Sequence, residues 1–261
     1  MGKITKALQK AAEERLQHMD KIVKIKEMDK IIVRKMKESN VDARLVTYFD
    51  PKAVISEQYK ILTTNLLALN KSRPPKTIAV TSSIASEGKT ITALNLAITL
   101  SQAVHKPRIV LIDGDMRKGQ MIKYLGVPAN KGLSEYLKGE AGLNDIVFNL
   151  DMDHLSFISS GGVPANPAEL LGSQQMQQLV ADLRTQYDFV LIDTPPVIPV
   201  TDAVIVGNYT EGVILVIQAD RTQRGMVARS TELLTQAHAK IVGHVLTGIE
   251  YFIPEYIYRY L

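Results

Sequence analysis

The 261-residue sequence contains no cysteine. This absence excludes disulfides, cysteine zinc sites and thiol nucleophiles. The sequence also has no apolar run near the roughly 18–20 residues that a membrane-spanning helix requires. Residues 1–17 lack the apolar core of a signal peptide, so a cytoplasmic protein is expected. Apolar residues make up 46% of the chain, which fits one large α/β domain. The net charge is only +4, and this is too weakly basic to indicate a nucleic-acid partner.

Residues 1–40 differ in composition from the rest of the chain. The stretch Lys3–Ser39 contains no proline or glycine, and its apolar residues recur at spacings of three and four. This pattern predicts an N-terminal helical extension, basic and amphipathic, over residues 1–40. The extension could pack on this chain or on a copy of it, or it could dock on a membrane surface or a partner helix. Residues 41–51 are predicted to be a linker, and a helix is expected from Ser56, as its N-cap, to about Asn70.

From Lys76 onward, short β-branched runs alternate with helical segments. The predicted strands are Thr77–Thr81, Ile109–Asp113, Leu155–Ser159, Phe189–Asp193, Val213–Gln218 and Ile241–Thr247. Such alternation predicts an α/β fold, with a mostly parallel sheet and helices on both faces, in a domain that spans residues 41–250. Residues 251–261 are expected to form a separate tail.

The strongest functional signal precedes the helix that is predicted to begin at Ile91. A predicted strand leads through small and polar residues into Gly88-Lys89-Thr90, which is the sequence context of a phosphate-binding loop. Its amides and the helix N-terminus would surround the phosphates of ATP, with Lys89 at the β- and γ-phosphates and Thr90 on Mg²⁺. The predicted cofactor-binding residues are Ser83, Ser86, Glu87, Gly88, Lys89 and Thr90. Ser83 replaces the first glycine of the usual pattern, and the structural alternative is a Gly-Lys-Thr that only caps a helix.

Two further predicted strands end in aspartate. Asp113 and Asp115 are separated by one residue, so they should project to the same side, and Asp193 ends the strand Phe189–Asp193. Because ligands in doubly wound folds bind at the carboxyl ends of the strands, these acids should lie near the phosphate loop. We expect Thr90, Asp113 and Asp193 to hold Mg²⁺, and Lys89, Asp113 and Asp115 to be catalytic. The sequence leaves open which of Asp113 and Asp115 accepts a proton, and an ordinary Asp-Gly turn is the structural alternative.

The order of these motifs resembles that of the bacterial tyrosine kinases. The segments Ser82–Thr90, Leu111–Arg117 and Val190–Pro196 are similar to the Walker A, A′ and B motifs of that family. The resemblance implies an ATP- and Mg²⁺-dependent protein-tyrosine autokinase that regulates exopolysaccharide synthesis or export. It also implies a homo-oligomer and a membrane-anchored activator, which would recruit the chain to the inner face of the cell membrane. One alternative is a MinD/ParA-like switch ATPase without kinase activity, whose loop carries a signature lysine at the position of Ile84. The other is a non-catalytic scaffold that binds nucleotide and assembles an export machine.

Tyrosines are concentrated at the end of the chain. Four of the ten tyrosines lie in the last eleven residues, namely Tyr251, Tyr256, Tyr258 and Tyr260. The resemblance implies that these four are phosphoacceptors, modified in trans by a neighbouring subunit. The alternating spacing of the last three is also typical of an edge strand, and an aromatic patch on lipid headgroups is a third interpretation.

Overall fold

A computed structural model describes residues 32–34, 40–69, 76–128, 131–152 and 154–249. The strands are β1 (Ile32–Arg34), β2 (Thr77–Ser82), β3 (Ile109–Asp113), β4 (Val147–Leu150), β5 (Leu155–Ile158), β6 (Phe189–Asp193), β7 (Gly212–Gln218) and β8 (Ile241–Thr247). The helices of the described residues are α1 (Val46–Phe49), α2 (Val54–Ala68), α3 (Lys89–Ser101), α4 (Met121–Leu125), α5 (Leu133–Leu137), α6 (Leu143–Ile146), α7 (Pro167–Leu171), α8 (Gln174–Gln186), α9 (Asp202–Tyr209) and α10 (Arg224–Gln236).

The eight strands of the described residues join one sheet, in the order β1-β4-β5-β3-β6-β2-β7-β8. Every neighbouring pair is parallel except β4 and β5, which run antiparallel. The predicted α/β fold with a mostly parallel sheet is therefore confirmed. Within the described ranges, no helix combines the length and apolarity needed to cross a membrane.

Two hydrophobic cores lie on opposite faces of this sheet. Ile78 and Val80 of β2 belong to the core that contains the apolar face of α3, whereas Ala79 belongs to the core that contains α8 and α9. Successive side chains of a strand point to opposite faces, so a strand covered by helices on both sides is apolar throughout. Because β2, β3 and β6 run parallel, their carboxyl ends lie at the same edge of the sheet.

The predicted linker at residues 41–51 is wrong. The segment contains α1, and Val41 and Leu45 are buried in the core. Asn95 of α3 holds the segment, because its side-chain oxygen accepts a hydrogen bond from the Thr47 amide at 3.1 Å and its amide group donates to the Arg44 carbonyl at 3.0 Å. A buried amide on α3 thus converts a polar-looking stretch into packed structure.

The prediction for residues 1–40 is corrected at Ile32–Arg34. These residues form β1 and pair with β4, so pairing with a distant strand and the β-branched residues Ile32 and Val33 outweigh the helical spacing. Most of the predicted extension lies outside the described residues. The helix expected from Ser56 begins earlier, at Val54, and the Ser56 hydroxyl donates to the Asp50 carbonyl at 2.6 Å instead of capping the helix.

Candidate functional site

The phosphate loop connects the end of β2 to the start of α3. The Ser82 hydroxyl donates to the carbonyl of Ile84 at 2.8 Å, which closes the first part of the loop. Gly88 has a φ of +89°, a left-handed conformation that glycine adopts without steric cost. The chain can therefore turn directly into α3, which begins at Lys89 rather than at Ile91. The free amides at the N-terminus of this helix favour an anion such as phosphate.

The Lys89 ammonium lies between two carboxylates. Its Nζ is 3.2 Å from Asp115 Oδ2 and 3.4 Å from Asp193 Oδ2, and it donates to the Thr90 hydroxyl oxygen at 3.2 Å. The Thr90 hydroxyl in turn donates to Asp193 Oδ2 at 2.7 Å. The structure thus brings together four predicted site residues from the phosphate loop and from two strand ends.

Asp113 lies beside this cluster and is held by backbone amides. Its carboxylate accepts hydrogen bonds from the amides of Met121 at 3.2 Å and of Asp115 at 3.3 Å. Asp113 and Asp193 are register partners on the neighbouring strands β3 and β6, which places two carboxylates close together. Burial and, next, the negative charge of Asp193 raise the pKa of Asp113 to about 7.

The charges of the cluster do not balance. Burial opposes protonated Lys89, but the negative charges of Asp193 and Asp115 outweigh this effect and raise the pKa of the lysine. Burial also raises the pKa of Asp193, although Lys89 and Thr90 act in the opposite direction. Asp113, Asp115 and Asp193 thus face one lysine, and the excess of negative charge favours a divalent cation at this place.

The residues of the site fit Mg²⁺ bound together with a nucleotide. Two buried oxygens, Ser83 Oγ and Asp193 Oδ1, have no hydrogen-bond partner among the described residues. An unpaired buried carboxylate oxygen is suited to ligate a metal. Among all the described residues, no three acidic or histidine side chains are arranged to hold a metal ion without further ligands. Magnesium is usually held by one or two carboxylates together with water and substrate phosphates, so a metal–nucleotide complex fits better than an isolated ion.

Gly114 allows the tips of β3 and β6 to approach each other. Its amide donates to the carbonyl of Asp193 at 2.8 Å, and a Cβ atom at this position would lie 2.6 Å from that carbonyl oxygen. Any side chain here would therefore push the two acidic strand ends apart.

Two predicted loop residues lie outside the Lys89 cluster. Ser86 is exposed, and its carbonyl accepts a hydrogen bond from Arg221 at 2.9 Å. Glu87 is buried, and its carboxylate bonds to Thr222. Sequence reasoning missed Arg221 and Thr222. The polar run that begins at Gln218 could have indicated them, because it follows β7 at the ligand-binding edge of the sheet.

Sequence reasoning assigned no site role to Asp202. Its fully buried carboxylate accepts two hydrogen bonds from the Arg117 guanidinium, at 2.8 and 2.9 Å. This bidentate pair ties the loop after β3 to the start of α9. The residues are 85 positions apart, and nothing in the sequence indicates the pairing.

The predicted phosphoacceptors Tyr251, Tyr256, Tyr258 and Tyr260 lie outside the described residues.

The parallel sheet and the phosphate loop with its strand-end acids define a P-loop nucleotide-binding protein. A family model described as an AAA domain matches residues 75–241. The tyrosine-protein kinase YwqD of Bacillus subtilis (strain 168) is 34% identical over 216 residues, which cover 83% of this chain and 90% of YwqD. This chain belongs to the bacterial tyrosine-protein kinases, and the resemblance noted from its motifs is confirmed.

Solved structures agree with this assignment. The chimerical protein CapA2B2 is 32% identical, with a TM-score of 0.74, over 82% of this chain and 92% of the chimera. The kinase domain of the Escherichia coli tyrosine kinase ETK is 29% identical, with a TM-score of 0.73, over 80% of this chain and 83% of that domain. The kinase assignment therefore has support from both sequence and fold.

Proposed function

We propose that this protein-tyrosine kinase uses Mg²⁺ and ATP to phosphorylate tyrosines in the C-terminal tail of a neighbouring copy. The observation that carries the proposal is the cluster of Lys89, Thr90, Asp115 and Asp193 at the phosphate loop, with contacts of 2.7–3.4 Å. Similarity to proteins named tyrosine-protein kinases supports tyrosine as the acceptor.

The geometry supports the following roles. Lys89 and the loop amides bind the β- and γ-phosphates, and Thr90 and Asp193, with Asp113, hold Mg²⁺. When bound, Mg²⁺ supplies positive charge that stabilises the phosphates during transfer. The tyrosine oxygen bonds to the γ-phosphorus while the bond from that phosphorus to the bridging oxygen breaks, which leaves ADP. Asp115 accepts the phenol proton, because this residue is 7% exposed whereas Asp113 is 1% exposed.

The direct test is phosphotyrosine mapping after incubation with labelled ATP. We expect label in the tail of the wild type and none in Lys89→Met, because the variant loses the phosphate-binding ammonium. Tyr124→Phe is the matched control, since this tyrosine lies in α4 and hydrogen-bonds to Gln120 at 2.9 Å. It should leave the labelling unchanged. Normal labelling of Lys89→Met would contradict the proposed mechanism.

Transfer between copies is tested by mixing two variants. One carries Lys89→Met with an intact tail, and the other has an intact site with Phe at Tyr251, Tyr256, Tyr258 and Tyr260. Label on the tail of the first variant supports transfer in trans. An unlabelled mixture, with a labelled wild type run in parallel, would argue that each chain modifies only itself.

The alternative is a switch ATPase of the MinD/ParA type. Such a protein would hydrolyse ATP in the same assay and leave every tyrosine unlabelled. The loop argues against it, because Ile84 stands at the place of the signature lysine and offers no cation to a partner's nucleotide. The Ile84 amide instead donates to the Glu87 carboxylate at 2.7 Å.

We further infer that this kinase acts in exopolysaccharide synthesis or export. A membrane-anchored activator would recruit it to the inner face of the cell membrane. The support is the resemblance of the three motifs to the autokinases of such systems. We expect cells that carry only Lys89→Met to change the amount or chain length of their surface polysaccharide. Wild-type polymer in these cells would contradict this role.

A further inference from the structure

Glu87 is a buried carboxylate in the wall of the phosphate loop. The residue is 1% exposed. Its Oε2 accepts a hydrogen bond from the Ile84 amide at 2.7 Å, within the same loop. Its Oε1 accepts one from the Thr222 hydroxyl and a longer one, at 3.4 Å, from the Gln218 amide. The carboxylate therefore joins the phosphate loop to the turn that follows β7.

Such a carboxylate is costly unless its bonds compensate for its burial. No lysine or arginine within the described ranges forms an ion pair with Glu87. A buried charge without an ionic partner must recover its lost hydration through hydrogen bonds, and bonds to an ionised acceptor are the strong ones. The buried Glu87 carboxylate is thus stabilised by donors from the phosphate loop and from the turn after β7. In return, its hydrogen bonds hold these two segments together.

The segments that Glu87 joins hold unusual backbone conformations. Ser86 has a φ of 65° and Gly88 has a φ of 89°, so left-handed residues flank Glu87 on both sides. In the opposite turn, Asp220 has a φ of 58°. Non-glycine residues keep such conformations when the surrounding structure fixes them. The bonds of Glu87 hold the loop at these residues.

Two further bonds reinforce the same connection. Arg221 donates to the carbonyl of Ser86 at 2.9 Å, and the Thr247 hydroxyl donates to the carbonyl of Glu87 at 2.7 Å. Thr247 ends β8, so the loop is tied to both strands on that side of β2. Glu87 enters this network through both its side chain and its main chain.

We propose that Glu87 is a positioning residue for nucleotide binding, which holds the phosphate loop in its binding conformation before the nucleotide arrives. The inference rests on the proposed function only in taking this loop as the nucleotide site. If only a fraction of the molecules has the competent loop, the apparent Kd rises by the inverse of that fraction. A fall of the competent fraction to roughly one tenth would therefore weaken binding about tenfold.

The test measures the Kd of Mg-ADP by calorimetry together with the Tm of each variant. Glu87→Ala removes all three side-chain bonds and should raise the Kd about tenfold. Glu87→Gln keeps an oxygen for the Ile84 amide and can donate to the Thr222 hydroxyl, so it should stay within about threefold of the wild type.

Asp145→Ala is the matched control. The Asp145 carboxylate accepts a hydrogen bond from the amide of Gly142, three residues earlier, at 2.8 Å. The Glu87 carboxylate and the Ile84 amide have the same sequence spacing. Asp145, however, lies at the start of α6 and not in the phosphate loop. The control should lower the Tm slightly and leave the Kd unchanged.

A purely structural role makes a different prediction. If Glu87→Ala folds with a lower Tm but binds Mg-ADP as tightly as the wild type, the proposal is overturned. If that variant does not fold, Thr222→Val decides, because it removes one bond and keeps the carboxylate. We expect its Kd to rise roughly two- to threefold, and an unchanged Kd would overturn the proposal.

The binding assay also separates this proposal from the kinase function. A wild type that binds Mg-ADP but labels no tyrosine would refute the kinase proposal alone, and the Kd comparison would still decide on Glu87. A wild type that binds no Mg-ADP would refute both.

Discussion

Replacing Lys89 with methionine should destabilise the nucleotide-free protein as well as inactivate it. The ammonium is the positive charge that faces Asp115 and Asp193, at 3.2 and 3.4 Å, and its side chain is 11% exposed. Methionine has a similar length but no charge, so the carboxylates would remain buried without compensation. Removing one partner of a buried ion pair costs about 3–5 kcal/mol. For a chain of this size, such a loss lowers the Tm by roughly 6–20 °C.

The loss of stability in Lys89→Met should depend on pH, and the direction of this dependence follows from the pKa values of the carboxylates. The pKa of Asp113 is about 7 in the folded protein, against an ordinary 3.8, so the folded state binds more protons than the unfolded state between these values. Stability therefore falls as the pH rises through this window. Lys89 lowers the pKa of both Asp113 and Asp193, and without it both values rise further. The deficit of Lys89→Met should therefore be larger at pH 8 than at pH 5, where Asp113 and Asp193 can be protonated.

The assay is urea unfolding without nucleotide at pH 8 and pH 5. Lys60→Met is the matched control, because this lysine is 46% exposed and pairs with Glu57 at 2.7 Å on the surface of α2. It should change the free energy of unfolding by less than about 1 kcal/mol at both values of pH. Adding Asp193→Asn to Lys89→Met should restore at least half of the loss at pH 8. Equal stabilities of Lys89→Met and Lys60→Met at pH 8 would refute this reasoning.

Three further predictions concern packing and the metal. Gly114→Ala should lower the Tm and weaken Mg-ADP binding at least tenfold, because its Cβ would meet the Asp193 carbonyl. Gly225→Ala, in open space near the start of α10, should leave binding unchanged. Equal calorimetric Kd values for the two variants would contradict this prediction. Asn95→Leu should cost about 2–4 kcal/mol, since it leaves the buried Thr47 amide without its acceptor, and should speed proteolysis near α1; an unaltered digestion pattern would be evidence against it. Removing Mg²⁺ with EDTA should weaken ATP binding at least tenfold, because Asp113, Asp115 and Asp193 would then face the negative charge of the triphosphate without a metal ion between them. Equal Kd values for ATP, measured by calorimetry with and without EDTA, would show this prediction to be wrong.

The strands β3 and β6 could be predicted from the sequence because their burial on both faces makes them continuous apolar runs up to the terminal aspartate. The bounds of β3, β6 and β8 agree with the prediction, and β2, β5 and β7 differ by one residue at one end. In contrast, β4 was missed. It has four residues and is antiparallel to β5, so its pairing depends on a strand that the local pattern does not indicate.

The arrangement of the site was predictable where strand direction determines it. Parallel strands place their carboxyl ends at one edge, which brings Asp115 and Asp193 to Lys89. The sequence did not show that the Glu87 carboxylate would turn toward Thr222, or that Arg117 would pair with Asp202. These contacts join residues 135 and 85 positions apart and depend on loop conformations that have no local signature.

The strand β1 affects how this kinase should be truncated. It pairs with one edge of β4, whose other edge pairs with β5. A shortened chain that starts at Val41 would lose β1 and leave the N–H and C=O groups of β4 open along one side. An open strand edge can recruit the edge of another molecule and so promote aggregation. Self-association of such a fragment would then report a missing strand, not a property of the intact chain.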